Sequence, residues 1–376
     1  MLERAHTSPT PAVDPPAVAP LDAEEIERRY QAAMEDVSLT DPASMEHALA
    51  VMEELAIDPG FLAADAQARL PVLADAGALR VEHYRLTRSA DDPDRALSHL
   101  ADAEALAADD PAAEATVLGT LAGLYRLQFE ETSDPARLRL AVETWRRCIA
   151  LQAGDETNQA LDQVNLATAL LELFTCDNDP RYIDDSIALL RRIDPPTLPH
   201  RGRAMLLRTL GGALVARYRL NGHATDLDDG VRALEAAYAL PDLAPDELGS
   251  VLAGLGAALV IRGVLRENDG EVERGARLME EAFGPNAEIP AGPAAAAAMR
   301  AGIERMRRGV TTESLGRSME ALSEAVELES GNGAWVAQVL SDRGEIITTR
   351  WLMTGEGSPE ELTAAIRSLK QAGRQR

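Results

Sequence analysis

Lysine is almost missing from this 376-residue chain: Lys370 is the only one, and the rest of its basic side is arginine. Together with the heavy use of alanine this looks like the codon bias of a GC-rich genome, so the preference for arginine need carry no chemistry. Aromatic residues make up only 3% and β-branched runs are scarce, which leans the composition towards helix. Cysteine is limited to Cys148 and Cys176, too few for a disulfide framework or a metal-ligand set. Excess positive charge is absent too. At a formal net charge of −25 the chain lacks the clustered cations that neutralise phosphate backbones, so nucleic acid is not expected as a partner. The same charge repels anionic membrane surfaces. No stretch approaches 18 continuous apolar residues, and the opening MLERAHTSPTPAVDPPAVAP lacks a basic flank followed by an apolar core. Residues 1–22 read as a disordered Pro/Ala-rich segment, residues 23–376 as the ordered part, and the expected compartment is the cytoplasm.

What the chain does have is a phrase that returns eight times. Its small residue is Ala48, Ala96, Ala141, Ser186, Gly230, Gly275, Ser318 and Ala365, at intervals of 48, 45, 45, 44, 45, 43 and 47 residues. One, four and seven residues later stand apolar side chains, as in Val231, Leu234 and Ala237. Those offsets trace one stripe of an α-helix. A small residue in every copy predicts that another helix passes close to the backbone there.

Each copy announces its start. Asp41-Pro42, Asp92-Pro93, Asp134-Pro135, Asp179-Pro180 and Ser358-Pro359 pair a capping oxygen with proline at the first helical position. Thr225, Asp269 and Thr312 are candidates for the other three caps. Upstream of each phrase lies a second apolar helix, such as LRTLGGALVARY with Leu210, Gly211, Leu214 and Tyr218. Pro111, Pro199, Pro245 and Pro293 open several of these helices. The pattern predicts about sixteen antiparallel helices in eight hairpins.

Leu-Gly-x-x-Leu on one helix, followed by small-Val-x-x-Leu-x-x-Ala on the next, resembles the tetratricopeptide repeat. On that match Leu210, Gly211, Leu214, Gly230, Leu234 and Ala237 take the signature places. The first-place tryptophan is missing, and the period is near 45 where the standard repeat has 34. Gly211 to Gly230 spans 19 residues, so part of the excess lies in the link between the two helices. The long form is similar to actinobacterial arrays that often precede caspase-like CHAT protease domains. The resemblance implies an all-α fold, a right-handed α-solenoid whose first helices line a concave groove. It also implies an acidic interaction scaffold without enzymatic activity, binding a protein or peptide. The alternative function it implies is a regulatory or sensor array of a CHAT-protease-type system.

Chemistry is sparse along the chain. Cys148 occupies a stripe position and reads as core filler, and Cys176 sits among acids that oppose thiolate formation. The six histidines form no H-x3-H or H-E-x-x-H pair, so neither metal nor cofactor is expected. DDPDR (91–95) and NDPRYIDD (178–185) resemble diphosphate-binding acids only in part, and acids at helix starts already have the helix dipole as a reason. The glycines of LGGAL fall inside a helix, where they permit close packing. A small-molecule ligand is possible but not indicated.

One column stands out. Arg217, Arg262, Arg305 and Arg350 recur at near-constant spacing, with His83 and Gln128 aligned and Leu173 the exception. The arginines either form a ladder for an acidic peptide or carboxylate, or tie each hairpin to acids such as Asp226 and Asp228. By the family's groove positions, Thr116, Gly119, Gly123 and Arg126 line the surface in the third repeat. Met205, Arg208, Gly212 and Val215 do so in the fifth. The partner-binding candidates are therefore Arg126, Met205, Arg208, Val215, Arg217, Arg262, Arg305 and Arg350.

Overall fold

A computed structural model describes residues 20–152, 154–283 and 363. Among them every regular element is helical. The chain divides into two compact units, one ending at Gly154 and the other beginning at Asp155. The first unit holds α1 (Ala23–Glu35), α2 (Pro42–Ala56), the short α3 (Pro59–Ala63), α4 (Ala66–Thr87), α5 (Asp92–Ala107), α6 (Pro111–Thr132) and α7 (Pro135–Leu151). The second holds α8 (Glu156–Asp177), α9 (Arg181–Leu190), a 3-10 turn at Pro195–Thr197, α10 (His200–Asn221), α11 (Ala224–Tyr238), α12 (Pro245–Leu265) and α13 (Asp269–Phe283). Thirteen α-helices are thus described, and the expected later repeats lie outside the described residues.

The helices pair as hairpins: α4 with α5, α6 with α7, α8 with α9, α10 with α11 and α12 with α13. The two helices of each hairpin carry small residues 19 positions apart in sequence: Gly77 and Ala96, Ala122 and Ala141, Ala167 and Ser186, Gly211 and Gly230, Gly256 and Gly275; in the last two pairs the backbones come into close contact. A Cβ added to Gly275 would lie 2.6 Å from the Gly256 carbonyl oxygen, and one added to Gly211 would lie 2.5 Å from Leu234 Cγ. Ala48, Ala96, Ala141 and Ser186 have no solvent exposure. Ser186 fits because its hydroxyl donates a hydrogen bond to the Ala167 carbonyl (3.0 Å).

The first helix of the later hairpins is long, with 22 residues in α4, α6, α8 and α10. The extra residues of the 45-residue period therefore extend the helix past the crossing, and the link itself stays short. Four of these helices end on a left-handed residue eleven places after the small one: Arg88, Ser133, Asn178 and Gly222. The backbone N–H of each donates to the carbonyl four residues back. Only Gly222 adopts that conformation without steric cost.

At the helix starts, the Ala43 N–H donates to Asp41 (3.1 Å) and the Ala136 N–H to Asp134 (2.9 Å), as the Asp-Pro phrases predict. Helix α9 differs: its N-cap is Pro180, not Asp179, although the Asp179 side chain accepts the Arg181 N–H (3.0 Å). Three further assignments change. Asp92 is not a cap; it is buried inside the first turn of α5, for a reason given below. Helix α11 starts at Ala224 with His223 at the N-cap, so Thr225 does not cap it. Asn268, not Asp269, accepts the N–H groups of Gly270 and Glu271 at the start of α13. Thr312 and Ser358 lie outside the described residues.

Helix α12 corrects one reading of composition. Its stretch 247–265 has a mean hydropathy of 1.9 and is long and apolar enough to cross a membrane, although no unbroken apolar run exists. Its Val251, Leu252, Leu255 and Leu259 are buried, and the last three belong to one cluster with residues of α11 and α13. Cys148 is likewise core, its thiol donating to the Ala115 carbonyl (3.1 Å), while Cys176 is exposed.

The crossings make a paired prediction. Gly275→Ala forces a methyl onto the backbone of α12 and should cost about 1–3 kcal/mol. Gly212→Ala, where an added Cβ meets nothing within 4 Å, should gain about 0.5–1 kcal/mol from helix propensity. Urea unfolding of both variants checks this, and equal effects would remove the close approach as the reason for the small column.

Candidate interaction surface

In three hairpins the residue six places beyond the first helix's small residue is a nitrogen base. It reaches an acid four places before the second helix's small residue. Arg217 donates to Asp226 through Nε (2.8 Å) and Nη2 (2.7 Å), and Nη1 reaches Asp184 of α9 (3.2 Å). Arg262 donates to Glu271 through Nε (3.0 Å) and Nη2 (2.8 Å), with Nη1 at 3.7 Å from Asp228 of α11. His83 takes the same place in α4: Nδ1 lies 2.5 Å from Asp92 and Nε2 lies 3.3 Å from Glu46 of α2. Asp92 is buried to accept this ring and the Arg80 guanidinium (2.8 Å). Arg80 also pairs with Glu53 of α2.

These cells have a common geometry. The base grips its own hairpin's acid and touches an acid two places before the small residue of the preceding hairpin. In the remaining hairpins both members change together: Gln128 faces the register of Arg137, and Leu173 that of Tyr182. The fork of a guanidinium matches a carboxylate in two parallel bonds, which fixes orientation as well as charge. Of the two readings of the arginine column, the tie is the arrangement that Arg217 and Arg262 adopt. Arg305 and Arg350 lie outside the described residues.

Further ties run between successive second helices. Arg95 pairs with Glu53 (3.1 Å) and Arg274 with Glu235 (2.8 Å), in both cases from the position before the small residue to the position five after the preceding one. These pairs are exposed and worth little individually.

The groove candidates separate. In the second unit α8, α10 and α12 pack side by side, with α10 in the middle. Met205 and Arg208 are half-buried on α10, and Gly212 is exposed with open space above it. Arg126 of α6 is half-buried and pairs with Glu130 (3.0 Å). Thr116 is exposed on the same helix, where Gly123 also has open space above it. Val215 is a correction: it is 8% exposed and its Cγ2 lies 3.0 Å from where a Gly230 Cβ would be, so it packs the crossing and not the open face. Two arginines on α10 that the column does not include, Arg201 and Arg219, share the face of Met205 and Arg208. Their signal was available as spacing of 4, 3 and 11 residues on one stripe. Among the described residues no group of three or more His, Cys, Asp or Glu side chains is arranged to hold a metal ion.

The described hairpins repeat one all-helical unit. No family model matches the chain, and no curated protein does. Among solved structures, BtubC from P. vanneervenii is similar at 20% identity and a TM-score of 0.42, over 68% of this chain and 97% of that one. The C-terminal part of a TPR repeat-containing protein from Cytophaga hutchinsonii is similar at 13% identity and a TM-score of 0.35, over 76% of this chain and 95% of that one. Cut9–Hcn1 of the APC/C is similar at 12% identity and a TM-score of 0.41, over 94% of this chain and 67% of that one.

The Arg217 hydrogen bonds hold the Asp226 carboxyl below its ordinary value, against burial, which pushes it up. A depressed carboxyl adds stability that is fully present above the unfolded value, near 3.9. That stability is lost as pH falls through the folded value. Wild type should therefore lose more unfolding free energy than Asp226→Asn between about pH 5 and about pH 2. At neutral pH Arg217→Met should cost about 1–3 kcal/mol by stranding a mostly buried carboxylate, and adding Asp226→Leu should recover most of it. Denaturant titrations at both pH values check the set; a pH-independent difference would mean that the pair is not formed.

Proposed function

We propose that this chain is a protein-interaction scaffold that binds a peptide or protein segment along the solvent-facing side of its first helices. The supporting observation is the open stripe on α10, where Met205 and Arg208 flank Gly212 and nothing stands within 4 Å of an added Cβ. Such a face offers a backbone room to approach, an apolar contact and a directional donor in one line. Arg126 and Gly123 supply a similar combination on α6. The arginines of the ion-paired cells serve this surface by holding successive hairpins in register, since a ligand would have to break two carboxylate contacts to use them. Binding of this kind involves no covalent step.

The test is capture from the native lysate with the full chain as bait, against Gly123→Leu/Gly212→Leu. Each substitution fills the open side of its own helix, where an added Cβ meets nothing within 4 Å. A protein retained by wild type and lost from a variant with an unchanged melting curve supports the reading. Equal retention by both, or none by either, overturns it.

A further inference from the structure

The three ion-paired cells differ in one respect, the chemistry of the base. Arg217 and Arg262 are guanidinium groups, which keep their charge at any pH where the chain is folded. His83 fills the same place with an imidazole, the side chain whose charge changes between about pH 5 and 8. Both of its ring nitrogens face carboxylates. Nδ1 lies 2.5 Å from Asp92 of α5, and Nε2 lies 3.3 Å from Glu46 of α2. Nε2 is buried and, apart from this contact, has no polar partner. A neutral imidazole carries one N–H and serves one of these acids; only the imidazolium donates to both. The two acids are also held differently. Asp92 is buried and shared with Arg80, whereas the Glu46 side chain is 66% exposed and meets only the ring. The remaining charges near the ring do not depend on its proton. Glu53, two turns further along α2, is held by Arg80 of α4 and Arg95 of α5. Burial holds the His99 imidazole of α5 below its ordinary value, with Glu53 and Asp102 acting against it, and His47 of α2 is exposed. Thr87 Oγ1 on α4 lies 3.4 Å from Nδ1. Of the other helices packed on α4, α3 has no ionisable side chain, α1 sets Tyr30 on Asp75 two turns earlier, and α6 turns Tyr125 to the shared core. No other ionisable side chain among the described residues bonds to the ring.

We infer that His83 is a proton-controlled latch on the first turns of α2. Protonated, one ring bridges α5 and α2 through Asp92 and Glu46. Deprotonated, it keeps Asp92, the nearer acid, and releases Glu46 to solvent. The far part of α2 stays fastened because Glu53 has two guanidinium partners, so the loosening is confined to the turns around Glu46. The sign follows from which form is held. The bridge adds stability at low pH, and that contribution is lost as pH rises through the ring's titration. The cells at Arg217 and Arg262 have no such response in this range. The inference needs no partner and does not depend on the scaffold reading.

Hydrogen exchange of the full chain tests this, with rates corrected for the intrinsic pH dependence of amide exchange. Amides in the α2 turns around Glu46 should exchange at least about threefold faster near pH 8 than near pH 6. Those of α10 and α11, whose cell is built on Arg217, should keep one corrected rate. His83→Arg retains the charge and should abolish the change in α2. Glu46→Gln removes the exposed acid and should shrink it; this substitution on an exposed side chain decides the matter should His83→Arg fold poorly. Protection of α2 that is independent of pH in wild type overturns the inference. So does an equal pH response in the variants, or an equal response in α10 and α11.

Discussion

The structure depends on the close approach of paired helices at their small residues, tightest where α10 meets α11 and α12 meets α13. Where Gly256 meets Gly275, or Gly211 meets Gly230, no methyl group fits without displacing a neighbour. That approach sets everything around it. It fixes the rotation of each helix about its axis, and so decides which side chains face the core and which face water. It also explains why the apolar stripe can use so few large aromatics: helices packed this closely leave volume for Leu, Val and Ala and little more.

The lengthened repeat follows from the same constraint. In α4, α6, α8 and α10 the first helix runs ten residues past the crossing, beside the start of its partner. In two hairpins a long side chain with a planar fork spans the two helices there, to a carboxylate on the opposite one. Arg217 with Asp226 and Arg262 with Glu271 are two solutions to one geometric problem. His83 with Asp92 is a third, in which a shorter ring obliges the acid to sit deeper. Where a hairpin has Leu173 instead, the acid is gone as well. Matched loss is what a shared cell requires, since a lone partly buried carboxylate would be costly.

What could be read in the sequence follows from this hierarchy. The small column, the stripe at one, four and seven and the Asp-Pro starts are local and periodic; the small column falls inside the second helices as expected, and Asp41 and Asp134 cap theirs. The left-handed ends were partly hidden because Arg88 and Ser133 do not signal that conformation, while Gly222 and, more weakly, Asn178 do. Asp92 was hidden because an Asp before proline reads as a cap until its partners across the hairpin, Arg80 and His83, are known. Val215 was misplaced because the groove positions of a shorter repeat do not transfer to a helix that continues past its crossing. For Asp92 and Val215 the missing information was a contact between helices, which periodicity cannot supply.

The ties between hairpins have a second consequence. By fixing the rotation of α10 against α9 and α11, Arg217 also fixes where its neighbours on the exposed stripe point, so one ion-paired cell sets the geometry of the surface that would bind.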